Sequence, residues 1–91
     1  MTDLIGNELN IDDYVVYATS HLDVSIMRLG IVSSFKENNV VLKDVIYLRK
    51  YPFNNMSQKK INISSDKIIK ITKEDGEKAY LNYKFEKLNK N

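Results

Sequence analysis

Between Val45 and Ser65 the sequence carries basic and aromatic residues but no Asp or Glu. Six residues of this window are candidate contact residues: Arg49, Lys50, Tyr51, Phe53, Lys59 and Lys60. Cationic side chains bind phosphate groups, and aromatic rings stack on nucleic-acid bases. The window therefore predicts a surface for nucleic acid or for a protein partner. The alternative is structural: Tyr47 and Phe53 cap the core, and the lysines only solvate a loop.

The charge distribution along the chain points to the same region. Residues 1–35 hold five acids and one base, a net charge of −4, whereas residues 36–91 hold thirteen bases and seven acids, a net charge of +6. Segregated positive charge favours an acidic partner, although the total of +2 is small. Lysine outnumbers arginine twelve to two, which is typical of AT-rich coding sequences. The lysines are therefore weaker evidence for a binding surface than their number suggests.

Residues for enzyme chemistry are scarce. His21 is the single histidine and lies between polar residues, so a solvated histidine is the simpler interpretation. Asp12 and Asp13 are adjacent, and adjacent side chains of an extended chain point to opposite faces. No cysteine and no glycine-rich phosphate loop is present. We therefore expect a non-enzyme without metal or cofactor.

Length and composition predict a single domain over residues 1–91. The absence of cysteine favours a reducing cytoplasm, and the acidic N-terminus lacks the features of a signal peptide. No apolar run approaches the roughly 20 residues of a membrane helix. We expect a cytoplasmic protein that does not contact membranes.

Most of the chain has the pattern of β-strands. Short β-branched and aromatic runs predict five strands: 14–18, 26–35, 40–48, 60–64 and 67–72. The segment from Thr19 to Asp23 reads as a polar loop, and the Asn-rich segment 36–39 reads as a hairpin turn. Gly30 predicts a sharp bend or a bulge, and Lys43 with Asp44 predicts a solvated face or an irregularity in the third strand.

The residues after Lys73 have helical spacing instead. Leu81, Phe85 and Leu88 recur at i, i+4 and i+7, which predicts an amphipathic helix over about 76–88. We expect these three side chains to close one end of the strands. Tyr80 and Tyr83 would then lie off the packed face, as a possible second partner surface.

Short strands, tight turns and a bent second strand predict an all-β protein, a small five-stranded barrel over about 9–72 with a short C-terminal helix. The run Ile11-Asp12-Asp13-Tyr14-Val15-Val16-Tyr17, followed by Leu29-Gly30-Ile31-Val32, Val40-Val41-Leu42 and Ile68-Ile69-Lys70-Ile71, resembles an SH3-like barrel of the KOW or Tudor type. It is also similar to small barrel proteins that T-even-type bacteriophages encode among their accessory genes.

The resemblance implies a domain that sits on nucleic acid or on transcription and translation machinery, in the host cytoplasm if the chain is phage-encoded. Two functions stay open. The first is a non-catalytic module that associates with nucleic acid, or with nucleic-acid-processing machinery, through the basic and aromatic window. The second is a protein–protein adaptor or inhibitor that binds a host protein.

Overall fold

The computed structural model describes residues 1–21, 24–48 and 56–88. This part of the chain forms an antiparallel sheet of five strands, followed by one C-terminal helix. The elements are β1 (Tyr14–His21), β2 (Val24–Lys36), β3 (Asn39–Tyr47), β4 (Ile61–Ser64), β5 (Ile69–Ile71) and α1 (Lys73–Leu88), with a 3-10 turn (Ser65–Lys67) before β5.

The strands lie in the order β4-β3-β2-β1-β5, and every neighbouring pair is antiparallel. Strand β5 returns to pair with β1, so β4 and β5 form the two edges. Among the described residues these edges do not pair with each other, and the sheet is open.

The hairpin that joins β1 to β2 is longer than the sequence predicts. The segment from Thr19 to His21 was expected to be a polar loop, but it continues β1, and His21 lies opposite Val24. Backbone pairing does not require apolar side chains, and Thr is favourable in strands. Residues 22 and 23 lie outside the described residues. The predicted 36–39 hairpin is confirmed, with Glu37 in the left-handed region at φ 57°.

The predicted bulge at Gly30 is also confirmed. Leu29 pairs with Ile46 and Ile31 pairs with Lys43, so Gly30 alone lies opposite two residues, Asp44 and Val45. Asp44 has φ 54°, a left-handed conformation that Asp tolerates better than most residues. Bulges bend and twist the strand that carries them. The bulge therefore bends β3 at Asp44.

The two faces of the sheet carry separate hydrophobic clusters. We call the first the strand cluster: Leu9, Val15, Tyr17, Val32, Val40, Leu42, Val45 and Ile68. We call the second the helix cluster: buried Leu29, Ile46 and Tyr80, with partly buried Tyr14, Val16, Ile31, Leu48, Met56, Ile71, Ala79 and Tyr83. Successive residues of β1 alternate between the clusters, as the pleat of a strand requires.

The N-terminal segment is fixed to the edge of the sheet by Asp3. Its buried carboxylate accepts hydrogen bonds from the backbone N–H of Asn7 at 2.8 Å and of Lys70 at 2.7 Å. The backbone N–H of Leu4 also donates to the carbonyl of Ile68 at 2.9 Å. These bonds hold the segment against β5, and its Leu9 side chain joins the strand cluster.

Helix α1 packs on the sheet through a face that the sequence did not predict. Thr72 caps the helix, because its Oγ1 accepts the N–H of Asp75 at 3.1 Å. The expectation that Leu81, Phe85 and Leu88 close the strands is wrong for Leu81 and Phe85, whose side chains are 67% and 65% exposed. The side chain of Leu88 lies outside the described part of the chain. The helix instead packs through residues such as Gly76, Tyr80 and Tyr83. A side chain at position 76 would overlap the Tyr14 ring, so only glycine allows this approach.

Candidate functional site

A cleft of about 690 Å³ opens where the bulge in β3, the segment before β4 and helix α1 meet. Its lining residues come from these three parts of the chain: Lys43, Asp44, Met56, Ser57, Gln58, Lys59, Lys60 and Tyr83. Clefts between packed elements are the usual place for binding sites. This cleft is therefore the candidate site.

Tyr80 holds the bulge that contributes Lys43 and Asp44 to the cleft. The Tyr80 hydroxyl donates a hydrogen bond of 2.6 Å to the carbonyl oxygen of Asp44. Burial, with a smaller contribution from the Asp44 carboxylate, raises the pKa of Tyr80, so the hydroxyl stays protonated and remains a donor. The helix thereby satisfies a carbonyl of the bulge, where the regular ladder is interrupted.

The segment at Met56 and Ser57 is fixed between β3 and α1. The N–H of Ser57 donates to the carbonyl of Val45 at 2.8 Å. The N–H of Met56 donates to the hydroxyl oxygen of Tyr83 at 2.9 Å. The Ser57 hydroxyl then donates to the carbonyl of Lys59 at 3.1 Å, which bends the chain toward β4. Tyr83 thus forms a wall of the cleft and also orients the segment that carries its lysines.

Positive charge dominates the cleft. Three lysines and one aspartate line it, which leaves a net charge of +2. Lys43 lies 3.6 Å from a carboxylate oxygen of Asp12, a partly exposed ion pair. Lys59 and Lys60 are exposed and form no ion pair with any residue that the structure describes. Of the three lysines that line the cleft, these two are the most available to a ligand.

The candidates named from the sequence divide into three groups. Lys59 and Lys60 line the cleft. Arg49, Lys50, Tyr51 and Phe53 lie outside the described residues. Tyr83 lines the cleft, but its neighbour Tyr80 does not form a partner surface.

The expectation for Tyr80 is wrong. It was expected to lie off the packed face, yet it is only 9% exposed and belongs to the helix cluster. Its ring lies 5.8 Å from that of Tyr14. Burial of this ring is favoured because the hydroxyl finds a backbone acceptor at the bulge, which is what a buried tyrosine needs.

Sequence reasoning missed Lys43 as a site residue. Lys43 precedes the acid-free window by two positions and reaches the cleft only through the path of β3. The polar interruption at Lys43 and Asp44 was the available signal, and it was interpreted as a solvated face or an irregularity of the strand.

Among residues 1–21, 24–48 and 56–88, no three His, Asp or Glu side chains lie close enough to hold a metal ion together. Within the same residues, no helix has the length and apolarity needed to cross a bilayer.

The fold and the cleft define a small antiparallel β domain with an attached helix and a basic site where the two meet. A family model described as "Domain of unknown function (DUF7205)" matches residues 1–71. The chain belongs to this family. The match ends at the last residue of β5, so α1 follows it. Comparisons with curated proteins and with solved structures found no match.

Proposed function

We propose that the protein is a non-catalytic binding module that associates with the phosphate backbone of nucleic acid through the basic cleft. The observation that carries this proposal is the meeting of Lys43, Lys59 and Lys60 around one cleft. Lysines bind phosphates as flexible point charges and release counterions in doing so. A site of this kind supplies affinity with little sequence preference.

The walls of the cleft suit a backbone better than a small metabolite. Lys59 and Lys60 are exposed and the cleft is open to solvent on their side. Ser57 and Gln58 add polar groups next to the lysines, and Tyr83 adds an aromatic wall. Backbone recognition uses such a mixture of cationic and neutral donors.

The finer fold assignment is part of the proposal. We propose an SH3-like barrel of the KOW or Tudor type, supported by the strand order β4-β3-β2-β1-β5 and by register shifts at Gly30 and Ser33. Such bulges bend strands as a small barrel requires. From the resemblance to accessory proteins of T-even-type bacteriophages, we propose that the protein acts in the host cytoplasm.

A second candidate function is an adaptor or inhibitor that binds a host protein. The supporting observation is the edge strand β4, which within the described residues pairs on one side only, with β3. An exposed edge can accept an extended segment of another protein by adding a strand. The first candidate function requires Lys59 and Lys60, whereas strand addition at the edge of β4 does not.

The direct test measures fluorescence anisotropy of labelled DNA and RNA, single- and double-stranded, at low salt. We expect the double variant Lys59→Ala/Lys60→Ala to lose affinity on the order of tenfold, because two phosphate contacts are removed. The matched control is Lys36→Ala/Lys67→Ala. It makes the same charge change near the opposite end of β4, since Lys36 pairs with Asn39 and Asn39 with Ser64.

Equal losses in the two double variants would mean that only net charge matters and would contradict a role for the cleft. Absence of binding to every nucleic acid at low salt would reject the first candidate. A tagged pull-down from host lysate, with and without nuclease, separates the candidates further. Partner proteins that leave after nuclease treatment are expected, and stoichiometric protein that stays would favour the adaptor.

A further inference from the structure

The outer face of α1 carries two large apolar side chains near the middle of the helix. Leu81 and Phe85 are one helical turn apart, and their side chains are 67% and 65% exposed. Gly76 and Tyr80 are buried against the sheet, so the exposed pair lies on the side of the helix that faces away from the domain. Neighbouring exposed apolar side chains, unlike single ones, indicate a surface that a partner covers.

Two opposite charges lie along one side of this apolar pair. Glu77 and Lys84 are both exposed. They are separated by about two helical turns, so they project from nearly the same side of α1. Lys84 forms no ion pair with a described residue, and Glu77 lies 3.9 Å from Lys73 in an exposed pair within the helix. Exposed pairs of this kind are weak, so both charges are available to a partner.

The order of these residues along α1 fits a second copy of the same helix. The midpoint of positions 77 and 84 falls beside Leu81. When two copies of α1 pack antiparallel about a two-fold axis at that midpoint, position 77 of one copy is level with position 84 of the other. The same side of both helices meets in such a pair, because the contact is isologous. Glu77 therefore faces Lys84 twice, once on each side of the axis, with the two Leu81 side chains between the ion pairs.

The charges favour the antiparallel arrangement over a parallel one. In a parallel pair Glu77 stays about two turns, roughly 10 Å along the axis, from Lys84 of the other copy. Opposite charges at that distance on a solvated surface are largely screened. The antiparallel pair also places Phe85 within one turn of Lys78 of the other copy, since both lie on the second side of the apolar pair. The alkyl stem of an exposed lysine can cover an aromatic ring while its charge stays in water.

We propose that α1 binds a second copy of this chain in an antiparallel dimer, centred on Leu81 and flanked by two Glu77–Lys84 ion pairs. The contact is small, because a helix of 16 residues is only about 24 Å long and stable interfaces bury about 800 Å² per partner. The dimer is therefore weak, and the chain is monomeric in dilute solution. Tyr83 lies on the packed side of the helix, so the dimer leaves the cleft open and does not depend on the proposed function.

Sedimentation velocity of the full chain over a series of protein concentrations measures the dimer directly. We expect a reversible monomer–dimer equilibrium at low salt. Glu77→Lys and Lys84→Glu each place like charges opposite each other at two points and should raise the dissociation constant about tenfold. Leu81→Ala, which favours the helix, removes the apolar centre and should weaken the dimer by at least as much. Lys36→Glu makes the same charge change as Lys84→Glu at an exposed position near the β2–β3 turn and should leave the equilibrium unchanged.

An equimolar mixture of Glu77→Lys and Lys84→Glu separates this contact from any other. In the mixed dimer both ion pairs join opposite charges again, so we expect the mixture to dimerise like the parent chain although neither variant does so alone. Far-UV circular dichroism checks that each variant keeps its helix. The proposal is overturned if the parent chain is monomeric at every concentration. It is equally overturned if the folded single variants dimerise like the parent chain, or if mixing them recovers no dimer, since another surface then forms the contact.

Discussion

The strand cluster and the helix cluster lie on opposite faces of one sheet, but they are built by different means. The strand cluster consists of eight buried residues, seven of them without a polar side-chain atom. The helix cluster has three buried residues and a wide, partly buried rim. In the helix cluster, the hydroxyl of Tyr80 forms a hydrogen bond with the backbone of Asp44. The hydroxyl of Tyr83 forms one with the backbone of Met56. One face is held by apolar packing and the other by packing together with directed hydrogen bonds.

This difference separates stability from the shape of the site. The strand cluster is built entirely from residues 1–71, the part that matches the family. The helix cluster takes Ala79, Tyr80 and Tyr83 from beyond the match. The same helix residues fix the bulge and the segment that carries Lys59. We infer that the strands supply most of the stability and that α1 shapes the cleft.

The largest expected effect is in the strand cluster. Leu42 is fully buried, and Leu42→Ala should lower the free energy of unfolding by about 3 to 5 kcal/mol, because a cavity replaces the side chain. The matched control is Leu81→Ala in α1, where the side chain is 67% exposed and a change below about 0.5 kcal/mol is expected. Urea denaturation measures both. Similar losses in the two variants would remove the contrast between the faces.

A smaller effect is expected at the hydrogen bond between helix and bulge. Tyr80→Phe keeps the ring but leaves the Asp44 carbonyl without its donor, which should cost about 1 to 2 kcal/mol. The control is Tyr14→Phe, whose hydroxyl makes no hydrogen bond with a described residue. If the helix shapes the cleft, Tyr80→Phe also weakens nucleic-acid binding and Leu81→Ala does not. Unchanged binding by Tyr80→Phe would show that the cleft does not depend on this bond.

The smallest expected effect is the pH-dependent part of the stability that Asp3 supplies. Asp3 fixes the N-terminal segment beside the strand cluster. Burial alone would raise the pKa of Asp3, but hydrogen bonds from Lys70, Asn7 and Ile5 outweigh it and hold the pKa below its ordinary value of 3.8. The carboxylate therefore stabilises the fold above pH 3.8, and this stabilisation is lost as the pH falls through the lower pKa of the folded state.

Asp3→Asn should remove the contribution of this carboxylate to acid destabilisation. The measurement is the change in the urea midpoint between neutral and acidic pH. The variant should also be less stable at neutral pH, because an amide nitrogen would face a backbone N–H donor. Glu37→Gln, an exposed change at the β2–β3 turn, is the control and should keep the pH profile of the parent chain. A parent-like profile in Asp3→Asn would contradict the assigned hydrogen bonds.

The strands were predictable because their signals are local. Short β-branched and aromatic runs predicted the positions of all five strands to within a few residues, and Gly30 marked the place where the bulge of β3 lies opposite it. The packed face of α1 was not predictable in the same way. The residues 76, 80 and 83 and the residues 81, 85 and 88 both have helical spacing. The choice between them depends on the Tyr14 ring and the Asp44 carbonyl, which are distant in sequence.

The cleft was predictable only in part, because only some of its residues belong to a local sequence pattern. Lys59 and Lys60 are visible in the sequence as part of an acid-free window, which needs no knowledge of the fold. Lys43 joins them only because β4 pairs with β3 and Ser57 bonds to Val45. Such tertiary contacts leave no periodic signal in the sequence.

The most direct test of the cleft is the salt dependence of nucleic-acid binding. The logarithm of the association constant of duplex DNA is plotted against the logarithm of the salt concentration for the parent chain and for Lys59→Ala/Lys60→Ala. We predict a steep negative slope for the parent chain and a slope less steep by roughly 2 for the variant, about one unit for each lost phosphate contact. Equal slopes for the two proteins, or binding that does not change with salt, would contradict the account.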